Sequence, residues 1–301
     1  MSTWVFITFF AALMQTARTS LQKSLIKYLP TEIITWIRFI FGLPFVILYI
    51  VILQSIGLQF PSPSKIFIVY CLFAGLFQII GTILLVSLFS HRNFAVSTAY
   101  SKTEAIQVAI IGSILFQEYL SIASSIAIIL GMFGVVLISS SQQSIQLSTL
   151  LNGLKHKSVL IGIASGTSFA FDALLIREAI LLLNNDNPLT NAAITLLVIL
   201  ILNIIQLGTW ILYKNKKMFH GISIYWKRSI LVGITSAIGS IAWFTAFALT
   251  QAAYVKTVGQ IELLFSIFVT QKIFKEGISR IEIISILFII SSIVLLIYST
   301  N

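Results

Sequence analysis

Apolar runs of about twenty residues follow one another along the whole chain, with short polar gaps between them. A helix that crosses bilayer hydrocarbon needs roughly 20 such residues. Ten stretches approach that length: 4–25, 32–54, 66–89, 96–116, 121–140, 159–182, 189–213, 229–250, 256–274 and 280–298. Most connections are brief, such as "QEYLS" after the fourth and "FKEGIS" after the ninth. The longest polar stretches are "SSSQQSIQLSTLLNGLKHKS" in the middle and "YKNKKMFHGISIYWKR" after the seventh run, and neither leaves room for a soluble domain. In hydrocarbon the backbone must satisfy its own hydrogen bonds, so each run is expected to be a helix. The pattern predicts an all-α integral membrane protein with ten transmembrane helices.

Composition agrees. The 301 residues are 58% hydrophobic and 9% charged, with mean hydropathy +1.02. A soluble domain carries about 25% charged residues. The first run has no basic residue before Arg18 and no small-residue cleavage site, so it reads as a retained span rather than a signal peptide. The lone Cys71 excludes an internal disulfide and a paired-thiolate metal site. His91, His156 and His220 fall in loops and are too scattered for a metal centre, so neither metal nor cofactor is expected. An intramembrane enzyme would need a nucleophile with its base, a paired-aspartate motif or a metal cluster. None is present, and no phosphate-binding glycine loop is present either.

Sliding the sequence by 158 residues sets Pro30 on Pro188, Gly75 on Gly233, Gly81 on Gly239, Glu104 on Glu262, Glu118 on Glu276 and Ser121 on Ser279. No gap is needed from Pro30 to Ser121. Matches between isoleucines mean little in so apolar a chain. Two glutamate pairs among nine acidic residues, with a proline pair among five prolines, mean more. The chain reads as two homologous five-helix halves, 1–145 and 146–301. Five is odd, so the halves are expected to cross the membrane in opposite senses. Inverted repeats of this kind build secondary transporters.

The segment "LPTEIITWIRFIFGLP" opening the second span, with "FQEYLS" and "FKEGIS" closing the fourth and ninth, resembles the EamA family of the drug/metabolite transporter superfamily. The resemblance covers essentially the whole chain, and "YSKTEA" and "VKTVGQIELLFS" resemble a subgroup of it. It implies a multi-pass protein of the bacterial plasma (inner) membrane that moves amino acids, drugs or other small metabolites. Export is the direction expected first, with proton coupling as an added possibility. Import or exchange, or a channel or sensory role, stay open. The implied partners are a small-molecule substrate, protons if transport is coupled, and the lipid bilayer. Nucleic acid is not among them, and the chain is expected to be a monomer or homodimer.

Polar residues inside the spans are the candidate site, because each charge at a helix centre costs at least ~2.5 kcal/mol. Glu104 and Glu262 are related by the repeat and lie near the middle of spans four and nine. Such carboxylates suit a proton or a cationic substrate group, or else an ion pair that locks helices together. Asp172 lies in the middle of span six and Gln15 in span one. Trp243 lies near the middle of span eight. Arg38 lies in span two, but Leu196 takes its place in the second half, so it is expected to contact substrate or a cavity carboxylate. On a continuous helix Tyr100, Glu104 and Gln107 share a narrow arc, and Lys102 points about 160° away. Lys102 is therefore expected to find a partner away from Glu104. Gln260 holds the place of Lys102 in the second half, so Glu262 is expected to be the better proton carrier of the two.

Charge sets orientation. The net +10 is unevenly shared. Loops after odd-numbered spans carry most of the basic residues, including Lys23, Lys27, Lys214, Lys216, Lys217, Lys227 and Arg228, whereas the opposite side carries Lys65, Arg177 and Lys256. Basic loops stay in the cytoplasm, so both termini are expected to face outward. A cysteine placed at Lys216 should resist an impermeant maleimide in intact cells. Ready labelling from outside would reverse the assignment.

Overall fold

The computed structural model describes residues 2–90, 94–140, 157–215, 220–275 and 280–300. The expected 145/146 boundary, the Glu276 turn, His91 and His156 lie outside them. Among the described residues every regular element is helical. The first half holds α1 (Thr3–Leu25), α2 (Thr31–Ile40), α3 (Leu43–Ser55), α4 (Lys65–Leu88), α5 (Phe94–Ser101), α6 (Glu104–Leu115) and α7 (Ile122–Ser140). The second holds α8 (Lys157–Leu181), α9 (Pro188–Asn215), the short α10 (His220–Ile224) and α11 (Trp226–Leu249). It continues with α12 (Ala252–Val258), a 3-10 turn (Gly259–Ile261), α13 (Glu262–Lys272) and α14 (Arg280–Thr300).

Seven helical stretches among the described residues are long and apolar enough to cross a membrane. The other three expected spans differ for visible reasons. Helix α1 is long but carries Gln15, Arg18, Gln22 and Lys23. The fourth run is divided at Lys102 and Thr103 into α5 and α6, and the apolar part of α7, Ile122–Leu137, is short. Large apolar side chains such as Phe6, Leu48, Ile66, Ile114, Ile122 and Leu287 lie exposed on the outside. So much apolar surface suits lipid rather than water.

Packing follows the sequence repeat. Helix α4 packs along α8, α1 along α11, and α7 along α14. A shift of 158 residues carries α4 onto α11 and α8 onto α1, so the first pair becomes the second. The same shift carries α7 onto α14, so the third pair maps onto itself. The repeat-matched glycines sit at close approaches. A Cβ on Gly81 would lie 3.1 Å from the Phe169 ring, and one on Gly239 would lie 3.3 Å from the Met14 Cβ. Gly162 and Gly166 of α8 receive the α5–α6 break, where a Cβ on Gly166 would meet Thr103 Oγ1 at 2.6 Å. Small residues let backbones approach in this way where lipid offers no hydrophobic drive.

Three expected continuous spans are broken. The second is interrupted at Phe41–Gly42, where Pro44 in the first turn of α3 cannot donate to a preceding carbonyl. The fourth and ninth break at positions related by the repeat: Lys102–Thr103 between α5 and α6, and Gly259–Ile261 between α12 and α13.

Gly233 packs directly on the first of these breaks. A Cβ there would lie 2.5 Å from the Phe41 carbonyl carbon and oxygen, which are backbone and cannot rotate aside. Gly233→Ala should therefore destabilise the protein by about 1–3 kcal/mol, the usual range for overpacking. Gly239→Ala, facing a side chain at ordinary tight distance, should lose less. Equal thermal unfolding midpoints for the two variants would contradict this placement.

Candidate functional site

The breaks bring the buried charges together. At the first, the Lys102 amide is held by the carbonyls of Thr98 and Ala99, and a new helix starts at Glu104. The 100° periodicity does not carry across this turn. Lys102 Nζ consequently lies 3.0 Å from Glu104 Oε1, contrary to the expectation from a continuous helix. It also lies 2.6 Å from Glu262 Oε2 at the second break. Lys256 Nζ reaches the other oxygen of Glu104 at 2.9 Å. Gln15 Nε2 donates to Glu262 Oε2 at 2.8 Å. The result is a chain of alternating charge, Lys256–Glu104–Lys102–Glu262, that ties the two halves together. Lys102 is 1% exposed, Glu104 2% and Glu262 0%.

Lys256 was expected among the loop charges. It is instead buried in α12 and paired with Glu104, so it does not count among the loop charges. The premise that favoured Glu262 over Glu104 as proton carrier also changes. Lys102 does not belong to Glu104 alone but grips both carboxylates.

Next to this chain is a cavity of about 40 Å³, lined by both halves. Gln15, Arg18, Arg38, Gln78 and Glu104 come from the first, and Asp172, Ser240, Trp243 and Lys256 from the second. Phe169, Phe244 and Phe247 supply an aromatic wall. Asp172 makes no ion pair among the described residues. Gln78 Nε2 donates to it, 3.4 Å from both carboxylate oxygens, and Asn203 Nδ2 steadies that amide at 3.0 Å from Gln78 Oε1. Arg38 donates from Nη1 to Thr82 Oγ1 at 2.7 Å. Trp243 lies near both lysines, with Nζ of Lys256 5.4 Å and of Lys102 5.9 Å from its ring, and its indole N–H is unpartnered.

Six expected site residues thus meet here: Glu104, Glu262, Arg38, Asp172, Gln15 and Trp243. The other two do not. Tyr100 packs with Val96 and Val159 against Gly162, away from the cavity. Gln260 sits in the 3-10 turn with its side-chain amide against Gly131 of α7. Sequence reasoning missed Lys256 as a core residue. It is the first residue of the ninth apolar run, six residues before Glu262.

A second ion pair lies apart from the centre. Arg177 Nε is 2.6 Å from Glu118 Oε1, and its Nη1 donates to the carbonyls of Phe247 and Thr250. The turn between α6 and α7 is thereby fastened to the ends of α8 and α11. Burial pushes the Glu118 carboxyl above its ordinary pKa, and the Arg177 charge pulls against that shift.

The family model described as the EamA-like transporter family matches residues 2–140 and again residues 156–298. The chain belongs to the EamA-like transporter family. This EamA protein therefore carries two copies of the family's repeat, and the family is one of membrane transporters of drug/metabolite type rather than of enzymes. Together with the seven apolar helices among the described residues, membership makes it a multi-pass integral membrane protein. A search of curated protein sequences returns no match. A solved structure described as "Crystal structure of protein" is similar over 98% of this chain and 96% of its own, with a TM-score of 0.68 at 15% identity. That likeness is one of fold.

Proposed function

We propose that this protein is a secondary transporter that moves a small organic metabolite, an amino acid or similar solute, by alternating access. The observation that carries the reading is the buried polar cavity lined by both halves beside two repeat-related helix breaks. Broken helices near the bilayer midplane, at the meeting of two repeats, are where such carriers bind substrate and coupling ion. In this reading the five-helix halves, 1–145 and 146–301, are inverted relative to each other and rock about the cavity. The protein works in the bacterial plasma membrane as an exporter.

Proton coupling, in the same reading, runs through Asp172. A proton arriving at Glu104 would break contacts to two lysines, and one arriving at Glu262 would break the contact to Lys102. A proton arriving at Asp172 breaks no ion pair. Glu104 and Glu262 then serve to hold the two halves in register, with Lys102 as the shared hinge charge.

Flux through proteoliposomes containing the purified protein tests the class of activity. A carrier gives uptake that saturates with solute concentration and is stimulated by solute on the opposite side. Unsaturable flux without such stimulation would instead make the protein a channel.

A further inference from the structure

Two buried guanidinium groups face the cavity with no anion in contact. Arg18 is 3% exposed and forms no ion pair or hydrogen bond with another described residue. Arg38, also 3% exposed, has only the Thr82 hydroxyl and a Phe39 ring face 4.8 Å from its guanidinium carbon, and its Nε is unpartnered as well. A buried charge is ordinarily paired, because removing it from water is strongly disfavoured otherwise.

The neighbouring charges do not fill that need. Lys102 and Lys256 are matched by Glu104 and Glu262. Asp172 is left to face two arginines, so the cavity keeps an excess positive charge. Nor is Arg38 part of the symmetric frame. Within the stretch that repeats without a gap, a shift of 158 residues places Leu196 where Arg38 stands. Structural charges of a repeat protein would more naturally recur in both halves.

From these observations we infer that the transported solute carries an oxyanion, a carboxylate or a phosphate, and that Arg18 and Arg38 receive it. A guanidinium offers planar paired donors that match either group. The aromatic wall of Phe169, Trp243 and Phe247 then lies against the remainder of the solute. The inference rests on the carrier reading in calling that anion a substrate. At about 40 Å³ the cavity has room for water but not for a metabolite, so binding accompanies its opening.

The test uses the purified full chain in detergent at fixed ionic strength. Sodium acetate and sodium phosphate are titrated separately against choline chloride, and thermal unfolding is followed. The expected result is a saturable rise in midpoint of a few degrees with one of the two anions, and the better probe distinguishes carboxylate from phosphate. Arg38→Lys keeps the charge but loses the fork, and it should weaken the apparent affinity about tenfold. Arg18→Gln should remove the rise. No saturable rise with either anion, or an undiminished rise in Arg18→Gln and Arg38→Lys, overturns the inference. Proteoliposome counterflow separates it from the carrier reading. Saturable exchange of neutral or cationic solutes only would overturn the oxyanion and leave the carrier. Anion-dependent stabilisation without counterflow of any solute would overturn the carrier and leave the site.

Discussion

Lys102→Met is expected to destabilise the protein by about 3–5 kcal/mol, the usual consequence of removing one partner of a buried ion pair. Lys102 is the only cation in contact with Glu262 among the described residues, and it also touches Glu104. Methionine fills the volume but leaves Glu262 with a single hydrogen bond from Gln15. Lys256→Met should cost less, because Glu104 keeps Lys102. The double variant Lys102→Met/Glu262→Gln should recover much of the loss, since the uncompensated charge goes with the carboxylate. A double-mutant cycle on thermal unfolding reads the coupling directly. A Lys102→Met protein as stable as the wild type would mean that the charge chain does not hold the halves together.

Asp172→Asn should abolish the response of transport to a pH gradient while leaving solute exchange intact. One proton per cycle across a gradient of one pH unit supplies about 1.4 kcal/mol, or roughly tenfold accumulation. The asparagine imitates the protonated acid, so accumulation should fall to equilibrium while the carrier still cycles. Glu104→Gln should behave differently. It leaves Lys256 with no carboxylate in contact among the described residues and Lys102 with Glu262 alone, and stability and exchange should decline together. Gradient-driven accumulation that survives Asp172→Asn but is lost in Glu262→Gln would move the coupling role to Glu262.

The helices themselves were legible because lipid imposes one requirement on every span, and apolar runs report it directly. The repeat was legible because prolines, glycines and glutamates are rare enough here for their coincidence to carry weight. The glycine matches proved to mark helix crossings. The Lys102–Glu104 contact was hidden because the periodicity argument assumes an unbroken helix, and "YSKTEA" contains neither proline nor glycine to warn of a break. The second break does contain a warning, Gly259, which gives room to the Trp243 ring. Lys256 was misplaced because a lysine at the edge of an apolar run looks the same in sequence whether it snorkels to the surface or turns inward. Tyr100 was drawn into the candidate site by the arc it would share with Glu104 on an unbroken helix, and Gln260 by its repeat match to Lys102. The turns at the two breaks point them elsewhere.

The most direct test of a central substrate cavity is its accessibility from the two sides of the membrane. The chain has a single cysteine, so Cys71→Ser gives a clean background for Ser240→Cys inside the cavity. Ser292→Cys, buried between α7 and α14, serves as a control. Right-side-out and inside-out vesicles are treated with a membrane-impermeant thiol reagent. An alternating-access cavity predicts that Ser240→Cys is labelled slowly from either side and Ser292→Cys from neither. Labelling of Ser240→Cys from one side only, or from neither, would contradict the account.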